Sequence, residues 1–389
     1  MALTITQNPA TASLAQSPIV FTLSESSNVV LSSSFQYYAD LYYWTGSLNQ
    51  SGSTFKYELV KYPNQSLVGM FDVSKILNST LIDLRQTNPS NVKYYKIDGF
   101  YRYLSGSSYV TSSHVQSSVY SALDGYGLFQ EQINGPLYSK SPYWPLMTDG
   151  PATQSFFNEN NGTVGVMTGG AGASALIPTK VTYTSNLGTA NINVSSSASS
   201  SQQIQQVPEF PSSAGFPLST SGLEWYKLQA YNGSTALGNA LYYEVACQQK
   251  YPNVRIKWKN RYGQFDYFNF YMVSKKSFKT EKRTYQPQIG TWQGSTLSYN
   301  NYDSQNLNYL VDSNQGLSVN TFWIPEDYND IFKQLMVSDE IYYVTTESSD
   351  TLTPITIDTD SVVFKTKVVD KLIQYSFDFR LGQGYKLII

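Results

Sequence analysis

Ile373-Gln374-Tyr375-Ser376-Phe377-Asp378-Phe379-Arg380-Leu381 alternates without a break. Ile373, Tyr375, Phe377, Phe379 and Leu381 fall on one side of an extended chain, and Gln374, Ser376, Asp378 and Arg380 on the other. A period of two with one apolar and one polar side is the pattern of a strand with one buried face. Val362 to Val369 precedes it, with a turn expected near Asp370, so the two stretches read as a hairpin.

Working toward the N-terminus, Pro325 to Val337 predicts one helix. Pro325 suits a first helical position and Glu326 and Asp327 suit the positive end. Ile331, Phe332, Leu335 and Met336 form one stripe. Further upstream, Val254, Ile256 and Trp258 alternate with Arg255, Lys257 and Lys259. The chain then turns at Asn260-Arg261-Tyr262-Gly263 and returns as Phe265 to Tyr271. In the first hundred residues Phe35, Tyr37, Ala39, Leu41 and Tyr43 alternate with Gln36, Tyr38, Asp40 and Tyr42. Phe55, Tyr57 and Leu59 repeat the pattern, and Leu48 to Ser53 reads as a turn between the two strands. Phe71 to Leu77 fits a short helical excursion, and Tyr94 to Tyr103 a strand bent at Gly99. Tyr126 to Trp144 carries no sustained period and reads as ordered loop.

The expected fold is therefore mainly β: antiparallel, β-sandwich-like domains with one short C-terminal helix. Residues 1–105 form the first sandwich-like domain. Residues 106–220 form an irregular region with a low-complexity tract at 195–206, and 221–389 form a β-rich domain carrying the helix at 325–337.

Composition narrows the function. Charged residues make up 14% of the 389, against roughly 25% in an ordinary soluble domain. Aromatics make up 15%, including 33 tyrosines, which separates the chain from disordered sequences. Uncharged polar surface and many tyrosines suit β-structure and wet, hydrogen-bonded interfaces. A net charge of −2 gives no global attraction for nucleic acid. No apolar run reaches the roughly 20 residues of a membrane helix, and no secretory signal is visible.

One cysteine, Cys247, and one histidine, His114, leave no disulfide framework and no zinc site built on several such ligands. Gly170-Ala171-Gly172-Ala173-Ser174-Ala175 matches a dinucleotide pattern. It lacks the acidic residue about 20 positions on, and Pro178 cuts short any following helix. His114 lies in a polar stretch, and no GxSxG nucleophile motif accompanies it. Two carboxylates would suffice for a glycosidase, but no pair stands out. The expectation is a non-enzymatic chain with no catalytic, cofactor-binding or metal-binding residues. Tyr37, Tyr42, Trp44 and Trp225 are aromatic surfaces that could stack on sugars.

Nine of the 26 Lys and Arg fall between 255 and 283: Arg255, Lys257, Lys259, Arg261, Lys275, Lys276, Lys279, Lys282 and Arg283. Strand alternation places the first four on one face, with Val254, Ile256 and Trp258 packed inward. Arg255, Lys257, Lys259 and Arg261 are the candidate interface for an acidic neighbour. Lys386, Leu387, Ile388 and Ile389, in the last strand, are a second candidate, for pairing with an adjacent subunit.

Lys257-Trp258-Lys259-Asn260-Arg261-Tyr262-Gly263-Gln264-Phe265-Asp266 resembles a W-x-N-R-x-G-x-x-D segment in virion proteins of tailed phages infecting Bacteroidota, including crAss-like phages. Phe332 to Tyr342 is similar to their helix-to-strand passage. Pro354 to Ile357, Phe364 to Thr366 and Tyr375 to Phe379 resemble the strands that follow, with a looser likeness at Gly69 to Ser74. The resemblance covers about residues 250–385 and implies a structural, tail- or neck-associated virion protein, made in a host cytoplasm, with no catalytic residues to carry over. Its implied partners are copies of itself and other virion proteins. A capsid-shell or head-decoration role, a carbohydrate-binding adhesin recognising a host-surface glycan, and a glycoside hydrolase are the alternatives.

Overall fold

Tyr37, Ala39, Leu41 and Tyr43 line the buried side of strand β1 (Gln36–Trp44), as their alternation predicts. The structure is a computed structural model. It describes residues 3–45, 55–81, 92–127, 141–168, 177–194, 204–246, 250–288, 290–293, 295–298, 300–346, 351–364, 373–382, 384 and 386–388. The chain is mainly β, with antiparallel-rich sheets and no closed barrel. Contacts divide it into two compact units. The first is Met1–Ala246, Lys259–Asp266 and Lys333–Ser338; the second is Cys247–Trp258, Tyr267–Phe332 and Asp339–Ile389. Residues 1–105 and 106–220 thus belong to one unit.

In the first unit β1 lies between β2 (Phe55–Lys61) and β3 (Lys93–Ser105), antiparallel to both. A three-stranded sheet of Thr4–Gln7, Val20–Ser24 and Val68–Asp72 supplies the facing layer. Phe21, Leu23 and Phe71 share one core with Tyr37, Leu41, Tyr95 and Ile97, which is the expected sandwich. Gly99 sits in β3 because a Cβ there would come within 2.8 Å of the Leu23 side chain. The helical excursion is α1 (Ser74–Leu81), and Asp72 Oδ1 accepts the Ser74 N–H at 3.0 Å to start it. The turn expected at 48–53 lies outside the described residues.

A five-stranded sheet follows, in the order β4 (Thr153–Phe156), β8 (Thr235–Val245), β7 (Trp225–Asn232), β5 (Lys180–Ser185), β6 (Gly188–Asn193). The β4–β8 pair is parallel and the others antiparallel. Tyr226 and Tyr243 stack on its inner side, 4.8 Å between centroids. The region from 106 to 220 holds more regular structure than its sequence shows, because its strands are short and punctuated by Gly and Pro.

The second unit is built on an eight-stranded sheet. Its order is β10 (Phe265–Phe270), β9 (Val254–Lys259), β13 (Ile341–Thr346), β14 (Thr351–Ile357), β15 (Ser376–Leu381), β12 (Leu307–Asn320), β11 (Lys275–Tyr285), with β16 (Lys386–Ile388) also paired to β12. A 3₁₀ turn, Glu326–Tyr328, runs into α2 (Asn329–Val337) and makes the predicted helix, with Pro325 at its cap rather than inside it. Phe332 packs its ring 5.0 Å from Phe268 and 5.1 Å from Phe377. Phe377 and Phe379 are buried and Ser376, Asp378 and Arg380 exposed, the alternation read from the sequence.

The hairpin partner is different from the one expected. Residues 361–364 carry no strand, and 365–369 lie outside the described residues. β15 pairs instead with β14 and β12, strands distant in sequence whose inward Ile355, Leu317 and Val319 are buried.

Candidate functional site: a buried polar turn and an exposed basic ribbon

The basic face predicted on β9 is not a surface. Arg255, Lys257 and Lys259 are all buried, and Arg261 is partly so. Alternation correctly separates their side from that of Ile256 and Trp258, but both sides of β9 are covered. The Arg255 guanidinium sits 4.5 Å over the Tyr267 ring and the Lys257 ammonium 5.6 Å over the same ring. Lys259 Nζ lies 3.3 Å from Asp124 Oδ2, and Arg261 pairs with Asp149. Each charge is absorbed inside the chain, as buried cations must be.

Around this strand end the Asn260–Asp266 turn closes a polar network within the first unit. Asn260 Oδ1 accepts the backbone N–H of Tyr262 (3.0 Å) and Gln264 (3.1 Å). Its Nδ2 donates to the Met147 carbonyl (2.9 Å) and to Asp266 Oδ1 (3.1 Å). The Arg261 guanidinium donates to the Tyr262 hydroxyl (2.7 Å), which in turn donates to Asp149 Oδ1 (2.7 Å). Gln334 Nε2 donates to Asp149 Oδ2 at 3.2 Å and its Oε1 accepts the Arg261 N–H at 3.0 Å. Burial pushes the Asp149 carboxyl up, and the Arg261 charge opposes it. Burial, with Asp149 adding to it, also holds the Tyr262 phenol well above its ordinary range. Trp258, Asn260, Arg261, Gly263 and Asp266 are thus committed to internal packing and bonding. Removing one partner of a fully buried pair costs about 3–5 kcal/mol; Arg261 and Asp149 are partly exposed, at 19% and 12%, and the loss of either should cost less than that.

His114 also has a structural setting. Its Nδ1 is 2.9 Å from Asp98 Oδ2, and its ring stacks on Phe100 at 4.6 Å. Cys247 and Gly170–Ala175 lie outside the described residues. Among the described residues no group of three His, Cys, Asp or Glu could hold a metal ion, and no helix is long and apolar enough to cross a membrane. The tail candidate is placed by its backbone: Lys386, Leu387 and Ile388 pair with Asp312, Val311 and Leu310 of β12 in the same chain, and Ile389 lies outside the described residues.

The remaining cations of the cluster mark a surface. All eleven residues of β11 are exposed, with Lys275, Lys276, Lys279, Lys282 and Arg283 along it. β11 ends the eight-stranded sheet, so among the described strands its outer edge has no partner. Its inner edge pairs with β12 from Lys275↔Ser318 to Tyr285↔Leu307, making a ribbon wet on both faces at its far end. Large apolar groups stand out from it: Phe278 is 60% exposed and Tyr285 48%, with Tyr302 at 84% beyond them. At the ribbon's root Phe278, Leu317, Tyr343 and Leu381 line a cavity of about 240 Å³ beside Lys276. The sequence carries a signal for this ribbon. Lys275 and Lys276 are adjacent, as are Lys282 and Arg283, so cations occupy both faces of one strand and neither face is core.

No protein-family model matches the chain, and no curated protein aligns with it significantly.

Proposed function

We propose that this chain is a structural, non-enzymatic component of a tailed-phage particle, tail- or neck-associated, that acts by assembling with copies of itself and other virion proteins. The observation that supports the reading best is the β11–β12 ribbon. Among the described strands the sheet continues past β12 through β15 and the short β16 but past β11 through none, and exposed Phe278, Tyr285 and Tyr309 project from the ribbon. Such a ribbon gains its packing from another chain. The resemblance of residues 250–385 to phage virion proteins supplies the setting. Immunogold electron microscopy of particles from the source, with antibody against this chain, tests it. Label on the tail or at one vertex is the expected result. Uniform label over the head would move the chain to the shell, and protein found only free of particles would overturn the reading.

One observation favours a second reading, binding of a host-surface glycan. On the outer side of the five-stranded sheet Trp225 and Tyr242 are 38% and 43% exposed. Strand pairing places Lys227 opposite Tyr242 and Glu244 opposite Trp225, so two rings and two polar groups share one face. A glycan array should show binding that Trp225→Ala abolishes; an array with no signal for the parent chain would sink this reading.

A further inference from the structure

We infer that β11 is the contact through which two copies of this chain join, edge to edge and antiparallel, about a two-fold axis at Thr280. The inference rests on the assembly reading above and gives it a specific contact.

Lysines on an edge strand ordinarily keep it from pairing with other chains. On β11 their spacing leaves one full-length register open. A two-fold axis perpendicular to the sheet at Thr280 pairs all eleven residues and preserves the face of each. Lys279 then stands opposite Glu281 of the second copy, twice by symmetry. Lys282 stands opposite Phe278, Lys275 opposite Tyr285, Lys276 opposite Thr284 and Arg283 opposite Ser277. No cation meets a cation, and two of the five meet an aromatic ring. Sliding the strands by two residues one way sets Lys279 against Lys279 and Lys276 against Lys282. Sliding two residues the other way sets Lys279 against Arg283 and Glu281 against Glu281. The cations thus forbid the neighbouring registers and permit this one.

A second observation concerns Glu281. Across the ribbon its partner is Asp312, a like charge directly opposite. Within the chain Lys279 reaches it at 3.2 Å, with both side chains about two-thirds exposed or more. A Lys279 from the second copy would place a second cation beside Glu281, which is exposed in the single chain.

Sedimentation velocity of the full chain over a concentration series tests this with Lys279→Glu and Glu281→Lys. The parent should dimerise, and each variant alone should weaken dimerisation by about tenfold or more, since like charges then face each other twice. An equimolar mixture of the two variants should recover the dimer. In the mixed pair the introduced acid of one copy faces the introduced base of the other, and the unaltered Glu281 of the first faces the unaltered Lys279 of the second. The lost bridge within each chain stays lost in the mixture, so recovery reports the contact between chains alone. A parent that is monomeric throughout, variants that dimerise as well as the parent, or a mixture that stays monomeric would each overturn the proposal. A monomeric chain that still labels the phage tail would overturn this contact and leave the assembly reading standing. A dimer with the mixing behaviour but no label on particles would do the reverse.

Discussion

At the residue scale, burial pushes the Asp266 carboxyl up to about 7; hydrogen bonds from Thr148 and Asn260 pull against it, and nearby Asp149 adds to it. In an unfolded chain the same group titrates near 3.9. A raised acid contributes its stability in full below the unfolded value, and the contribution is lost as pH rises through about 7. A gap of three units corresponds to about 4 kcal/mol. Asp266→Asn keeps the shape and removes the titration. Thermal melts of parent and variant, compared between about pH 4 and pH 8, should therefore show the variant gaining on the parent as pH rises. A constant offset across that range would show that Asp266 does not change protonation there. Asp149 titrates in the same network, so the observed midpoint belongs to the pair.

At the scale of elements, the Asn260–Asp266 turn depends on Gly263, which holds φ at +74°. A Cβ there would lie 2.2 Å from the Asp124 carbonyl oxygen. Gly263→Ala combines a left-handed backbone with a backbone collision, so it should destabilise the chain by about 1–3 kcal/mol or more. An unchanged denaturation midpoint would mean the turn is not packed as described. The same turn shows what sequence could and could not reveal. β15 and β1 were legible because one side of each is apolar and the other polar, and their environments differ accordingly. β9 was half legible. Its inward side follows from Ile256 and Trp258, but the partner of Lys259 is Asp124, 135 positions away. No local pattern announces a partner that far away. The β11 ribbon, by contrast, could have been separated from β9 by its cations on both faces.

For the molecule as a whole, the composition pointed to β-structure correctly but left open where the tyrosines go. Many are in cores with the hydroxyl satisfied internally. Tyr37 donates to the Leu67 carbonyl at 2.8 Å and Tyr183 to the Pro208 carbonyl at 2.7 Å. A tyrosine of this kind fills apolar space and ties down a distant loop in one step, which lets a chain with few charges still specify its packing. Tyr285, Tyr302 and Tyr309 are among those left outward, on and beyond the ribbon, as are Tyr57, Tyr62, Tyr109 and Tyr242 elsewhere. The Asn260–Asp266 turn lies in the buried network, whereas the surfaces proposed for assembly and glycan contact lie outside it.

The division into units carries a consequence for inheritance. The chain passes from one unit to the other at 246, 258, 266, 332 and 338. No contiguous stretch of the gene encodes either unit without also carrying part of the other. A genetic exchange that replaced one unit alone would need several crossovers at once, so the two are expected to travel through a population as a single cassette. Variation acquired piecemeal would instead collect in segments that lie wholly within one unit, of which Lys275–Tyr285 is an exposed example.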